Sequence, residues 1–561
     1  MTKKEKRTEE KNFITADYLI IGSGIAGLRA AIELSNSGQK VVLVTKTEIE
    51  HSNTFYAQGG AAAVDPSRVE DEKDSFESHA QDTLKAGAGL CNAEVVERFS
   101  EKAHDGIEFL INQGVEFTEN PDDEYPYELH QEGGHAKPRI YCVGDFTGKA
   151  IEETLAKVVR ADLNINILEY HTAINLITKK WLDKDQNEDD KCYGAYVLDR
   201  QNKSVVTIKA GKTFLATGGA GRVFQYTSNP ENATGDGIAM AHRADVDIAN
   251  MEFFQFHPSV LYEANLEGDA KKRFLITEAL RGEKMGGILT LEKDSLEDFV
   301  LNYDVRGSHA TRDVVAKAID VEIKAKGLKH VWLNVTTKAT CKSKEYIKSN
   351  FPEIYKTCLE KGIDISKDPI PVVPAAHYMC GGIVVDENSE TSIRDLYAIG
   401  EVAHTGLMGA NRLASNSLTE AALYGKIAIE HALANHDEEK FSEVKIPGWC
   451  ASSKERIADV ATMNQFWDTT RTVMTNLCGI DRNEQRLKLA VATLTALVDV
   501  STDIYYNFFP THEIIELRNL ALTAKIIAES ALWRKESRGC HQRNDYPERN
   551  DDEYMIASNV D

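Results

Sequence analysis

Several features are missing from this 561-residue chain. No uninterrupted apolar run approaches the roughly 18 residues that span a bilayer, and the first twelve residues are too charged for a signal peptide. Nine cysteines are scattered, and even the closest pair, Cys341 and Cys358, lacks the local spacing of a zinc or iron–sulfur site. We therefore expect a soluble, cytoplasmic protein with no metal site and no disulfide framework.

Concentrated positive charge is also missing. The 65 Lys and Arg residues are outnumbered by 88 Asp and Glu residues, which gives a formal net charge of −23. Such a chain repels phosphate backbones and anionic lipid, so we expect neither nucleic acid nor a membrane as a partner. The length predicts roughly two to four domains, each able to bury its own core.

The first clear pattern lies near the N-terminus. The apolar run 18–21 leads into Gly22-Ser-Gly24-Ile-Ala-Gly27, which is followed by a helical stretch and a second apolar run, 41–44. This order predicts a βαβ unit whose helix N-terminus binds a dinucleotide pyrophosphate. The acidic residue usual at the end of the second strand is absent, since Thr45 and Lys46 follow it. The motif therefore leaves the type of dinucleotide open.

Later apolar runs predict that the nucleotide-binding sheet is discontinuous in sequence. Runs at 213–217 and 395–399 each end at glycine, as strands of such a sheet often do. We assign 1–243 and 358–435 to one α/β, Rossmann-like domain and 244–357 to an inserted lobe. Beyond residue 436, glycine becomes scarce and helical periodicity dominates, so 436–561 is predicted to be a helical C-terminal domain.

Four further motifs resemble those of one flavoprotein family. They are the nine residues from Ser52 to Gly60, Asp236 between two glycines, Glu401 after Gly400, and the stretch 415–418. Over about residues 17–548 the chain resembles the family of succinate dehydrogenase, fumarate reductase and L-aspartate oxidase flavoproteins. The resemblance implies that the first domain binds FAD, that the inserted lobe is an α+β capping domain, and that it contributes to a substrate site.

The resemblance also implies a set of FAD-binding residues. Lys46 replaces the usual ribose carboxylate, and Ser417 and Leu418 cap a helix that points at the flavin, where its N-terminus stabilises negative charge. The complete cofactor set is Ser23, Gly24, Ile25 and Ala26 at the pyrophosphate; Lys46; Asn53, Thr54, Phe55, Tyr56, Ala57, Gln58, Gly59 and Gly60 at the isoalloxazine; and Asp236, Glu401, Ser417 and Leu418.

Residues suited to a dicarboxylate occur in four motifs. His and Arg donate charge-assisted hydrogen bonds to carboxylates. By resemblance, the carboxylate-binding set comprises His257, Thr277, His377 and Arg412. Arg312 matches the proton-transferring Arg of the family, and it would need a carboxylate relay because free guanidinium is a very weak acid. Glu278 and Arg281 either form that relay or are structural ion pairs.

Two positions divide the family. Enzymes of the membrane-associated complexes usually attach FAD to a His at the position that Asn53 occupies here, while His51 is two residues out of register. We therefore expect non-covalent FAD. Glu132 precedes Gly133 and Gly134, where the dehydrogenases carry an uncharged residue and L-aspartate oxidases carry Glu. A carboxylate there fits an ammonium group, whereas it would repel a dianion such as succinate.

These residues favour the oxidase branch of the family. The resemblance implies oxidation of L-aspartate to iminosuccinate, with oxygen or fumarate as the electron acceptor. It places the reaction at the start of de novo NAD biosynthesis, before quinolinate synthase. One alternative is a soluble fumarate reductase or a succinate dehydrogenase flavoprotein subunit. Another is an inactive FAD-binding scaffold that docks partners through its C-terminal helices, near whose end the segment 536–540 lies.

Overall fold

The computed structural model describes residues 12–120, 125–144, 146–183, 190–263, 274–282, 284–435, 444–449 and 458–559. Its largest sheet has seven strands and begins with the predicted βαβ unit. Apolar residues fill its central strands because both faces are covered. In spatial order the strands are Ile165–Leu168, Val41–Val44, Phe13–Ile21, Ser204–Leu215, Cys192–Asp199 and His171–Thr178, with Leu396–Ala398 also paired to Ser204–Leu215.

The predicted discontinuity of the sheet is present. Phe13–Ile21, Val41–Val44 and the later strand Leu396–Ala398 all belong to its parallel part, in which Leu396 lies opposite Thr213. The helix Ile25–Asn36 covers one face, and the helix Asn416–Ala434 packs against that helix. Residues far apart in sequence therefore meet at the carboxyl ends of the parallel strands, where doubly wound folds bind ligands.

A second sheet lies outside the nucleotide-binding sheet. Its four antiparallel strands are, in spatial order, Phe254–Leu261, Ile370–Met379, Val331–Asn334 and Ile288–Thr290. The helix Arg312–Lys326 packs on it and closes a separate apolar core. Three small sheets complete the strands: Ile248–Ala249 with Gly382–Val384 and Ala403–His404; Ala61–Ala62 with Ile140–Tyr141 and Leu129–His130; and Asp481–Arg482 with Gln542–Arg543.

The described part of the C-terminal region is mainly helical. Three long helices pack together: Val460–Leu477, Glu484–Asn507 and His512–Trp533. Among the described residues, the remaining α-helices are Pro66–Glu70, Phe76–Ala86, Ala93–Asn112, Thr147–Ala161, Lys179–Asp183, Asp236–Arg243, Thr337–Thr340, Lys344–Asn350, Pro352–Glu360 and Asp551–Tyr554. Across all the described segments, no helix has both the length and the apolar character needed to cross a membrane.

The charged residues of the segment 536–540 are buried. Glu536 and Arg538 pair with each other at 2.7 Å. Arg534 also pairs with Glu536, at 3.0 Å. The side chains of Glu536 and Arg538 are therefore engaged in contacts within the chain.

Candidate active site

A cavity of about 1240 Å³ connects the glycine turn with the second sheet. It brings together all six residues predicted to act on substrate: Glu132, His257, Thr277, Arg312, His377 and Arg412. It is also lined by the predicted cofactor residues Ser23, Gly24, Ile25, Ala26, Lys46, Asn53, Thr54, Tyr56, Ala57, Gln58, Gly59, Gly60, Asp236, Glu401, Ser417 and Leu418. Phe55 does not line it. Because Thr54–Tyr56 is a 3₁₀ helix, successive side chains point in different directions, and Phe55 faces away.

The glycine turn has no room for side chains. Gly22 has a φ of +117°, and a Cβ there would lie 2.0 Å from the carbonyl oxygen of Ala216. A Cβ on Gly27 would lie equally close to the carbonyl oxygen of Gly22. The turn therefore brings backbone amides directly to the cavity at the start of the helix Ile25–Asn36, the arrangement that binds a pyrophosphate.

Lys46 lies at the same end of the cavity, within a buried cluster of charges. Its Nζ is 2.7 Å from Asp236 and 2.6 Å from Glu516, and it also donates to the Thr234 hydroxyl. Burial opposes the charged ammonium, but the two carboxylates outweigh it and raise the pKa of Lys46. Glu516 was not predicted, because nothing in the sequence links the helix His512–Trp533 to the first sheet.

Asn53 and Glu401 form a second polar group along the cavity. Asn53 donates to Glu401 at 3.2 Å and accepts from Asn229, while the backbone N–H of Met379 donates to Glu401. Burial raises the pKa of Glu401 to about 7, and these donors oppose the rise. Asn53 thus presents an amide to the cavity, and His51 does not line it.

The helix Asn416–Ala434 begins at the cavity wall. Ser415 precedes it in a left-handed conformation with a φ of +62°, and Ser417 and Leu418 lie in its first turn. The Ser415 hydroxyl donates to Glu132 at 2.7 Å. A Cβ on Gly59 would lie 3.3 Å from Glu132 and 3.4 Å from the Ser415 hydroxyl. Glu132 therefore meets the predicted flavin-binding glycines at the start of this helix.

Arg412 presents a buried cation to the cavity. It donates to Ser417 at 3.1 Å and to Gln255 at 2.9 Å, and its Nε has no hydrogen-bond partner within the described segments. Both partners are uncharged, so the positive charge is not neutralised by an ion pair in the described segments. A buried cation with neutral partners favours binding of an anion. Gln255 was missed because a lone Gln carries no sequence signal.

The two predicted histidines flank this cation on the second sheet. The rings of His257 and His377 are 5.7 Å apart, and His377 Nδ1 is 2.8 Å from the Ser228 hydroxyl. Burial lowers the pKa of His257 well below its ordinary value, and the charges of Arg312 and Arg281 lower it further. His257 therefore offers a neutral imidazole to a ligand at neutral pH.

Arg312 begins the helix Arg312–Lys326 and faces the same cavity. Arg281 is buried nearby and donates to the carbonyl oxygen of Ser308. The side chain of Glu278 lies outside the described part of the structure, so the predicted relay through it is a hypothesis. The arrangement places two guanidinium groups, those of Arg312 and Arg412, beside two histidines in a mostly acidic protein.

The residues at the first sheet fit FAD. The glycine turn and the Lys46 cluster suit an anionic dinucleotide. The Thr217 hydroxyl also lines the cavity, and it is buried with no partner among the described residues. It is therefore available to a polar group of a bound ligand.

A family model described as an FAD binding domain matches residues 17–418, and a second, described as the fumarate reductase flavoprotein C-terminus, matches residues 468–561. A curated L-aspartate oxidase from Acinetobacter baylyi is 46% identical over 532 residues, which cover 95% of this chain and 94% of the relative.

The chain belongs to the L-aspartate oxidase family.

A plant member of that family, the chloroplastic enzyme of Oryza sativa, is 41% identical over 95% of this chain and 82% of its own length. Among solved structures, a quinol-fumarate reductase chain superposes with a TM-score of 0.82 at 28% identity, covering 98% of this chain and 96% of that one. These matches confirm the predicted family and FAD as its cofactor.

Proposed function

We propose that this protein oxidises L-aspartate to iminosuccinate with FAD, the first step of de novo NAD biosynthesis. The observation that carries this proposal is Glu132. Its carboxylate lies beside Gly59 and Ser415, in the same cavity as Arg412, His257 and His377. The cavity therefore offers both donors for carboxylates and an acceptor for an ammonium group.

Each group then has a distinct task. Arg412 and the two histidines bind the substrate carboxylates, and Thr277 adds a hydroxyl. Glu132 pairs with the ammonium and so fixes the orientation of the Cα–H bond. Bound FAD supplies the two-electron acceptor for that hydrogen. The Ser415 hydroxyl holds Glu132 in place and leaves its other oxygen for the substrate.

The finer features of the protein are part of this proposal. We infer that FAD is bound without a covalent link, because Asn53 occupies the linking position. Oxygen or fumarate reoxidises it, and Arg312 supplies the proton when fumarate is reduced. The product passes to quinolinate synthase. The two separate sheets support an FAD-binding domain and a capping domain, followed by a helical domain of 436–561. The strand Ile370–Met379 belongs to the second sheet, so the capping domain takes in residues beyond the predicted boundary at 357.

A second candidate function is a fumarate reductase or succinate dehydrogenase flavoprotein. The similarity to the quinol-fumarate reductase chain and the same carboxylate donors favour it. Glu132 argues against it, because a carboxylate beside a bound dianion costs binding energy. Anaerobic mixing of the purified flavoprotein with L-aspartate or succinate distinguishes the two. We expect aspartate to bleach the flavin absorbance. Bleaching by succinate but not by aspartate would overturn the proposal.

A further inference from the structure

The position of Arg412 depends on an aromatic ring. The guanidinium carbon lies 4.5 Å from the ring centre of Tyr378, within the range of a cation–π contact. Hydrogen bonds to Ser417 and Gln255 hold the two terminal nitrogens of the Arg412 guanidinium. The plane of the guanidinium can still rotate about the line between those two nitrogens. The ring beneath the guanidinium supplies the missing constraint, so whatever fixes Tyr378 also fixes Arg412.

Tyr378 is in turn held by a carboxylate. Its hydroxyl donates to Glu420 at 3.3 Å, and the Thr405 hydroxyl donates to the other oxygen of Glu420 at 2.7 Å. Glu420 is only 2% exposed and belongs to the second turn of the helix Asn416–Ala434. It is therefore anchored on the same rigid element whose first turn contacts Arg412.

We propose that Glu420 is a positioning residue for Arg412, which it aligns for a substrate carboxylate by holding the Tyr378 ring in place. The inference rests on the proposed function, since it assigns a task to a residue behind the same site. Glu420 does not line the cavity and so is not itself a catalytic residue.

The protonation state of Glu420 determines whether this support is intact. An ionised carboxylate accepts strongly from both hydroxyls, whereas a protonated one carries an O–H donor and is a weaker acceptor for them. Burial raises the pKa of Glu420 to about 7, and the donors Thr405 and Tyr378 oppose the rise. Among charged groups, Glu401 raises this pKa and Arg412 lowers it. Tyr424, one turn further along the same helix, lies near the carboxyl, and Arg98 of the helix Ala93–Asn112 contacts the Tyr424 ring.

The test uses holoenzyme carrying Glu420→Gln, with succinate as the probe and flavin absorbance as the signal. We expect the variant to bind succinate about threefold to tenfold more weakly, the range of a partly desolvated cation–π contact. The KM for aspartate should rise similarly, with a smaller change in kcat. Wild-type affinity should fall between about pH 8 and about pH 6, and the variant should keep only the part of this dependence that Glu401 contributes. Glu401 titrates in both proteins, so their difference isolates Glu420.

Tyr378→Phe removes only the hydroxyl and should weaken succinate binding to the same degree. The double variant should be no worse than either single variant, because both break one connection. Glu430→Gln, on an exposed part of the same helix, should match wild type.

Unchanged affinity and pH dependence in Glu420→Gln, or additive losses in the double variant, would overturn the inference. If Glu420→Gln does not retain FAD, Tyr378→Phe with Thr405→Val decides in the same assay. Succinate binding is measurable even if wild type fails to oxidise aspartate, so the two proposals fail separately.

Discussion

Among single residues, Glu132 makes the distribution of charge in the site uneven. The cavity is lined by Arg312, Arg412, His257 and His377, all suited to carboxylates, and Glu132 introduces the opposite charge next to Gly59. An amino acid with two carboxylates matches this distribution of charge better than a simple dicarboxylate does. The position of one carboxylate therefore distinguishes substrates that differ by one amino group.

Glu132→Gln should reduce kcat/KM for aspartate about tenfold to a hundredfold, since an ammonium loses its charged partner. Fumarate reduction should change much less, because fumarate has no ammonium. Steady-state assays of both reactions measure the ratio. Glu128→Gln, an exposed carboxylate on the same loop, is the matched control and should resemble wild type. Equal losses in the two reactions would refute the assigned role.

Lys46→Met should destabilise the protein by about 3–5 kcal/mol, because it leaves the buried carboxylates of Asp236 and Glu516 unpaired. It should also weaken FAD retention. Thermal unfolding and FAD content after gel filtration measure the two effects. Lys180→Met removes an exposed pair with Asp245 and should change neither. If Lys46→Met keeps wild-type stability, the cluster is not a structural unit.

The charge cluster around Lys46 could be predicted only in part from the sequence. The spacing after the glycine turn singled out Lys46, which lines the cavity. It did not indicate Glu516, which is 470 positions away and accepts from Lys46 at 2.6 Å. A pairing over that distance depends on how two helical regions pack, and no local pattern encodes it.

A buried histidine, His79, links one helix to the helix that begins at the cavity wall. The helix Phe76–Ala86 places His79 2.9 Å from Asn416, the first residue of the helix that reaches the cavity. His79 is fully buried, and burial lowers its pKa to about 3. It is therefore neutral when folded, and unfolding below its ordinary pKa takes up a proton.

This proton uptake predicts a pH dependence of stability. His79 lowers the free energy of unfolding as the pH falls below its unfolded pKa of about 6.5, by about 2 kcal/mol at about pH 5. The loss continues until the pH reaches the folded pKa of about 3. His79→Gln should be less stable near neutrality but lose less stability on acidification. Denaturant unfolding at two pH values measures this. Parallel curves would contradict it, and His130→Gln, at an exposed position, is the control.

Elements with strong local patterns were predicted well. Val41–Val44 has the bounds of the apolar run in the sequence, and the described residues beyond 436 are mainly helical, as the periodicity there indicated. The strand Ile370–Met379 was not predicted, because Pro371 and Pro374 interrupt its apolar run and proline argues against a central strand. It forms because tertiary packing outweighs that local preference, and it delivers His377 and Tyr378 to the site.

On the scale of the whole molecule, the C-terminal tail locks the substrate-binding sheet. Glu252, just before the strand Phe254–Leu261, is fully buried and pairs with Arg534 at 2.5 Å. Ser558 donates to its other oxygen at 2.7 Å. The C-terminal tail is therefore part of the core, although its many charged residues are typical of a solvated segment. Its contacts connect the helical region to the second sheet.

Glu252→Gln should lower the free energy of unfolding by about 3–5 kcal/mol, because Arg534 becomes a buried cation with one fewer carboxylate partner. Thermal and denaturant unfolding of the holoenzyme measure the loss. Glu263→Gln, which breaks the more exposed pair with Lys361, is the matched control and should have little effect. Comparable small effects in both variants would show that the tail contributes no more than a surface contact.

The ion pair between Lys46 and Glu516 has a consequence for recombination between relatives. Lys46 lies in the stretch matched by the FAD-binding family model, and Glu516 lies in the stretch matched by the C-terminal one. The two stretches are named as separate modules, yet the nucleotide end of the cavity needs a charge from each. A gene chimera that takes them from different parents must inherit the lysine and the glutamate together. A crossover anywhere between positions 46 and 516, including the interval between the two modules, separates the pair and leaves a buried charge without its partner.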